Sequence, residues 1–210
     1  MNRELYMYAG WLDKTPLIGT VYCTDLRGKE IISFEYSDPW LTQHSDLLLD
    51  PDIQPCRGRQ YLPEGKEMYG FMEDISPDRW GRTLIRRREM IEARKEQRPL
   101  RTLLPTDYIL GIHDRGRAGA IRVKQNINGK FLADSDSLEA PPMTELRKLE
   151  QASIGFESES DPFEEKWFRQ ILSPGSSLGG ARPKANVTAP DGSIWIAKFP
   201  SKNDEVDAGA

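Results

Sequence analysis

Cysteine and histidine are scarce in this sequence. Its 210 residues hold two cysteines, Cys23 and Cys56, and two histidines, His44 and His113. No C-x-x-C pair occurs, so neither a cysteine–histidine metal site nor a disulfide framework has its parts. Both thiols are expected to be reduced and structural, as in a reducing cytoplasm. Long apolar runs are also missing. No stretch approaches the ~20 residues of a membrane-spanning helix, and the opening MNRELYMYAGW has no apolar segment of the signal-peptide kind. The expected location is therefore cytoplasmic, with no membrane partner. A large excess of one charge is absent too. The formal net charge of -4 gives no global case for binding nucleic acid or an acidic membrane.

Charge is instead separated locally. Residues 79–101 hold nine Arg/Lys against three Glu, and residues 132–167 hold ten Asp/Glu against three Arg/Lys. Such polarity suits partner-facing surfaces, or simply two solvated helix faces. The chain is 38% hydrophobic and 30% charged, a composition that fits a protein with much surface, such as one built of two small lobes.

The first forty residues read as strands. Leu5–Trp11 is rich in Tyr and Met, and Leu17–Thr24 and Glu30–Tyr36 flank the turn Asp25–Lys29 as a hairpin. Pro39 ends the second run, because proline cannot continue a ladder. Residues 50–66 are a loop dense in Pro and Gly. Ser76-Pro77-Asp78 predicts a helix start with Ser76 as N-cap, and the helix runs to about Gln97, before Pro99. Trp80, Leu84 and Ile91 share one side of it. A short helix follows near Thr106–Ile112. Ala120–Lys124 and Lys130–Leu132 read as strands joined through Asn128-Gly129. Residues 133–142 read as a linker, followed by helices over Thr144–Ser153 and Asp161–Leu172.

The stretch SPGSSLGGARPK, residues 173–184, crowds Ser, Gly and Pro. Gly175, Gly179 and Gly180 remove three side chains, Ser176 and Ser177 add hydroxyls, and Lys184 adds a positive charge. Backbone N–H groups of such a loop can cradle a phosphate. The stretch matches neither G-x-x-x-x-G-K-[ST] nor G-x-G-x-x-G, and taken alone it reads equally as an ordinary connection. A tight hairpin follows, Ala185–Thr188 and Ser193–Phe199 around Pro190-Asp191-Gly192. Ile194, Ile196 and Lys198 share one face of its second strand. Lys198 reads either as an edge lysine facing water or as the strand lysine of a nucleotide pocket, with Ile196 over a purine.

SSLGGARPKANV, followed by DGSIWIAKFPSKND, resembles the HipA family of bacterial Ser/Thr kinases, the toxins of type II toxin–antitoxin systems. FMEDISPDRWGR, DYILGI and GAIRV are similar to further segments of that family. The resemblance implies an α+β fold: a small β-rich N-terminal subdomain over residues 1–132, including helix 77–97, then the linker 133–142. Residues 143–210 would begin a kinase-like N-lobe with a Gly-rich loop and β-hairpin. It implies a nucleotide site of Ser176, Ser177, Gly179, Gly180, Lys184 and Lys198, with Ser177 the autophosphorylated serine and Ser176 its alternative. ATP and Mg²⁺ would serve the intact enzyme. The implied partners are a HipB-like helix-turn-helix antitoxin, through which DNA is met only indirectly, or a separate C-terminal kinase lobe. Arg182 and Pro183 depart from the family pattern.

Phosphoryl transfer also needs an Asp base and Asp/Asn ligands for Mg²⁺. In this fold they lie well downstream of the strand lysine, and residues 199–210 are all that follow Lys198. No catalytic or metal-binding residue is therefore assigned, and the sequence is expected to be an N-terminal part, inactive alone. The alternatives are a regulatory module that docks a kinase subunit or antitoxin, and a nucleic-acid binder using the arginines of helix 77–97.

Overall fold

A computed structural model describes residues 2–114, 117, 119–132, 141–157 and 182–201. The protein is a mixed α+β chain that divides into two compact units. The first comprises residues 1–76, 101–114 and 118–134; the second comprises 77–100, 115–117 and 135–210.

The first unit is built on an antiparallel five-stranded sheet. In chain order the strands are β1 (Asn2–Ala9), β2 (Leu17–Leu26), β3 (Lys29–Tyr36), β4 (Gln60–Tyr61) and β5 (Ile121–Lys124), and their spatial order is β4-β3-β2-β1-β5. The β2–β3 hairpin forms as its sequence predicts. Arg27 and Gly28 take φ of 55° and 82°, and the Asp25 carboxylate accepts from the Gly28 N–H. Two left-handed residues give the primed turn whose twist matches the strands. Period-2 alternation sends Leu5, Met7, Val21, Cys23, Ile32 and Phe34 to one buried face. That face packs with Trp40 of α1 (Asp38–Gln43), Phe71 and Met72 of α2 (Gly70–Asp74), and Ile109 of α4 (Pro105–Leu110). Gly19 permits a close approach there: a Cβ would meet the Glu35 carbonyl and come within 2.5 Å of the Phe34 ring.

Three local expectations are corrected in this unit. Ser37-Asp38-Pro39-Trp40 does more than end β3. The Ser37 hydroxyl accepts from the Trp40 N–H at 3.2 Å and starts α1. Ser76 is not a helix cap; it is buried, and its hydroxyl donates to the Met72 carbonyl at 2.7 Å at the end of α2. Lys130–Leu132 is not a strand. The chain turns at Asn126–Gly129 as expected, but only Leu132 returns a backbone bond to Val123. Phe131 leaves the ladder to stand edge-on to Tyr8, and the Arg122 guanidinium lies over the Phe131 ring at 3.6 Å.

The second unit contains α3 (Arg79–Lys95), a 3₁₀ turn (Met143–Glu145), α5 (Leu146–Glu157), and an antiparallel hairpin of β6 (Lys184–Thr188) and β7 (Ile194–Lys198). Its core joins Trp80 and Leu84 of α3 to Leu149 and Ala152 of α5, Ala185 and Val187 of β6, and Phe199. Helix 77–97 therefore does not belong with residues 1–132, as the sequence suggested. Its apolar side completes the core of the second unit, and the boundary inside 133–142 is only one of several crossings between the units. The expected helix over Thr144–Ser153 is present, displaced to Leu146–Glu157. The expected helix over Asp161–Leu172 lies outside the described residues.

Among the described residues no helix is long and apolar enough to cross a membrane.

Candidate functional site

The hairpin that follows the Gly-rich stretch places the two lysines singled out in the sequence. β6 and β7 pair in register, with Lys184 opposite Lys198, Asn186 opposite Ile196, and Thr188 opposite Ile194. By strand alternation these six residues share one face, while Ala185, Val187 and Ala197 turn to the core. The turn closes through Gly192, at φ 82°, whose N–H reaches the Ala189 carbonyl at 2.9 Å. Asp191 accepts from both the Ser193 hydroxyl and the Ser193 N–H, which hold its carboxyl below the ordinary value.

Directly opposed like charges destabilise an antiparallel pair. Asp78 resolves the conflict. Its carboxylate is ion-paired with the Lys184 ammonium, and both side chains are buried, 6% and 1% exposed. The same carboxylate caps α3, accepting from the Gly81 N–H at 2.8 Å. Two residues further on, the Trp80 indole N–H donates to the Lys184 carbonyl at 3.0 Å. Lys184 is thus fixed through its side chain and its backbone to the first turn of α3. Lys198 is different: it is exposed, and no ion pair to it is present among the described residues. Ile194 and Ile196, on its face, are 49% and 41% exposed.

This sorts the six sequence candidates. Ser176, Ser177, Gly179 and Gly180 lie outside the described residues. Lys184, expected as part of a nucleotide loop, opens β6 and is ion-paired with Asp78. Lys198 stands at the end of β7 with its ammonium at the surface. Sequence reading missed two participants. Asp78 stands two residues past the expected cap Ser76, and nothing in its spacing points 106 residues onward to Lys184. Asn186 is 5% exposed, and its Oδ1 has no hydrogen-bond partner among the described residues. A buried acceptor left unmatched costs about 1–3 kcal/mol.

No protein-family model matches the chain, and a search of curated proteins gives no match either.

The face can offer a nucleotide one surface cation and an apolar patch of two isoleucines. For a divalent metal the described residues offer less: no group of three or more His, Cys, Asp or Glu is placed to hold one. The thiols divide as their burial dictates. Cys56 is exposed, while burial pushes Cys23 up to about 12, with the nearby Glu30 carboxylate adding to the rise.

Proposed function

We propose that this chain is the N-terminal part of a HipA-type Ser/Thr kinase and that the β6–β7 face is its half of a nucleotide pocket. One observation carries the reading. The segments SPDRWG and RPKANV both resemble that family, and they meet in space through the Asp78–Lys184 ion pair and the Trp80–Lys184 bond. That contact neutralises one of two opposed lysines and leaves the other, Lys198, as the surface charge beside Ile194 and Ile196. Lys198 would meet the phosphates of ATP, whose charge a lysine binds as a compact point cation, and Ile196 would lie against the purine. The Gly-rich stretch with Ser176, Ser177, Gly179 and Gly180 would close over the phosphates. Phosphorylation of Ser177 would add nearly two negative charges there and oppose nucleotide binding. Mg²⁺ and the Asp base of the reaction would come from residues outside these 210, so the chain alone would not transfer phosphate.

Calorimetric titration with ATP tests the reading. Weak binding is expected, reduced about tenfold or more by Lys198→Ala and falling with salt. Equal binding by the chain and by Lys198→Ala would overturn it, as would phosphorylation of a substrate by the chain alone. A second reading, a module that docks a separate kinase subunit or antitoxin, is favoured by β7, where Ile194, Trp195 and Ile196 are all more than 40% exposed. A stable complex of this chain with a separately expressed kinase lobe would favour it.

A further inference from the structure

The outer side of α3 plays no part in the nucleotide face. At about 100° per residue, Arg79, Arg82, Arg86, Arg87 and Arg94 fall within an arc of about 140°. Thr83, Met90 and Ala93 complete that arc, so it contains no acid and no aromatic ring. Arg79, Arg86 and Arg94 are exposed, and Arg82 and Arg87 are half-buried. The acids of this segment lie on another side and are already matched. Glu92 pairs with Arg88, and Glu89 and Glu96 both pair with Arg98. Arg79, Arg86, Arg87 and Arg94 make no ion pair among the described residues.

This arrangement works against the helix. The N-terminal end of a helix is its positive end, yet the first turn of α3 holds Arg79 and no acid. Arg79 and Arg82, and Arg82 and Arg86, are like charges at helical-neighbour spacing, which repel. Nor does the stripe follow from composition, because the chain as a whole carries a net charge of -4. Core packing accounts for the side that bears Trp80 and Leu84, and leaves the arginine side unexplained.

We infer that the arginine side of α3 binds the phosphate backbone of double-stranded DNA. Charge complementarity names a polyanion, and the rest of the arc selects among polyanions. A membrane would need an apolar face beside the basic one, and the apolar face of α3 is buried in the core. An acidic protein would need large apolar anchors at the centre of the contact, and Met90 is the only large apolar side chain in the arc. Single strands are held by stacking on aromatic rings, and the arc has none. Duplex DNA needs none of these, since release of its counterions drives binding to its phosphates. Arginine matches a phosphate with a planar, two-pronged set of donors. The stripe runs about 22 Å from Arg79 to Arg94, and B-DNA carries one charge per ~1.7 Å of its axis. The major groove of B-DNA, about 12 Å wide, admits a helix, whereas that of A-form RNA is too narrow. Contacts to phosphate alone make the binding independent of base sequence.

The test uses the full chain and a fluorescent DNA duplex of about 20 base pairs, followed by anisotropy at several salt concentrations. Affinity should fall at least about 100-fold between about 50 and 200 mM salt, a log–log slope of about -4. Arg86→Gln alone should flatten that slope by about 1 unit. The triple variant Arg79→Gln, Arg86→Gln, Arg94→Gln should flatten it by about 3 units and weaken binding at least about tenfold, with unchanged far-ultraviolet circular dichroism. A charge-matched control at exposed positions of the first unit, Lys29→Gln with Arg57→Gln and Arg59→Gln, should bind as the parent does. Lys198→Ala should also bind DNA as the parent does, which separates this surface from the nucleotide face. Affinity that stays flat as salt rises would overturn the inference, as would equal losses in the two triple variants or a loss with Lys198→Ala. Equal affinity for a single strand or for duplex RNA of the same length would overturn it too. So would displacement of the duplex by an equal concentration of a peptide of residues 156–165, which would assign the stripe to the chain's own acidic stretch.

Discussion

The Asp78–Lys184 pair sets a sharp test of how the second unit is held together. Asp78→Asn keeps the side-chain volume and a residue that still caps a helix well. It removes the charge. Lys184, at 1% side-chain exposure, then loses its Asp78 counter-charge in the interior. Removing one member of a buried pair costs about 3–5 kcal/mol, and because the cap to Gly81 survives, the lower end, about 3 kcal/mol, is expected. For a chain of this size that lowers Tm by roughly 6–12 °C. The double variant Asp78→Asn with Lys184→Met removes both charges and leaves an apolar side chain at a position that is 1% exposed. It should recover about 2 kcal/mol relative to Asp78→Asn, because replacing a whole buried pair is far milder than halving it. Urea unfolding followed by circular dichroism and tryptophan emission gives all four corners of the cycle. A loss under 1 kcal/mol for Asp78→Asn, or a double variant as unstable as the sum of the singles, would refute the reasoning.

Well below its midpoint, Lys184→Met should bind ATP as the parent does while Lys198→Met loses binding; the reverse order in a calorimetric titration would return the phosphate role to Lys184. Gly19→Ala should destabilise the first unit by about 2–3 kcal/mol, read as a lower urea midpoint, because its Cβ has no room beside the Phe34 ring. In native protein at pH 8 one thiol, Cys56, should react with a disulfide reagent, and two should react in urea, since burial keeps Cys23 protonated. Burial also raises Cys23 and Tyr69 to about 12 in the folded chain. A raised folded value means that the stabilisation is complete below the ordinary value and is lost as pH climbs towards the folded one. Stability should therefore decline between about pH 9 and 12, and a flat urea midpoint across that window would count against it.

Local patterns were legible where local forces decide them. Alternation in β1 to β3 named the buried face, and the Arg27-Gly28 turn named the first hairpin. The apolar side of 77–97 named Trp80 and Leu84 as core. Local reading erred where two short-range signals competed. Ser76 and Asp78 are both good caps two residues apart, and packing chose Asp78, since only it lies where Lys184 needs a carboxylate. Asn128-Gly129 predicted its turn correctly, but no second strand follows it, and Phe131 stands edge-on to Tyr8 instead.

Sequence by itself determined the α+β class, the β6–β7 hairpin behind the Gly-rich stretch, and the shared face of Ile194, Ile196 and Lys198, because strand period and turn chemistry act over a few residues. Only the tertiary structure decided which lysine carries a surface charge. That choice rests on Asp78, brought beside Lys184 by the burial of Trp80 and Leu84 against β6 and α5, and no spacing along the chain encodes a contact made through a shared core.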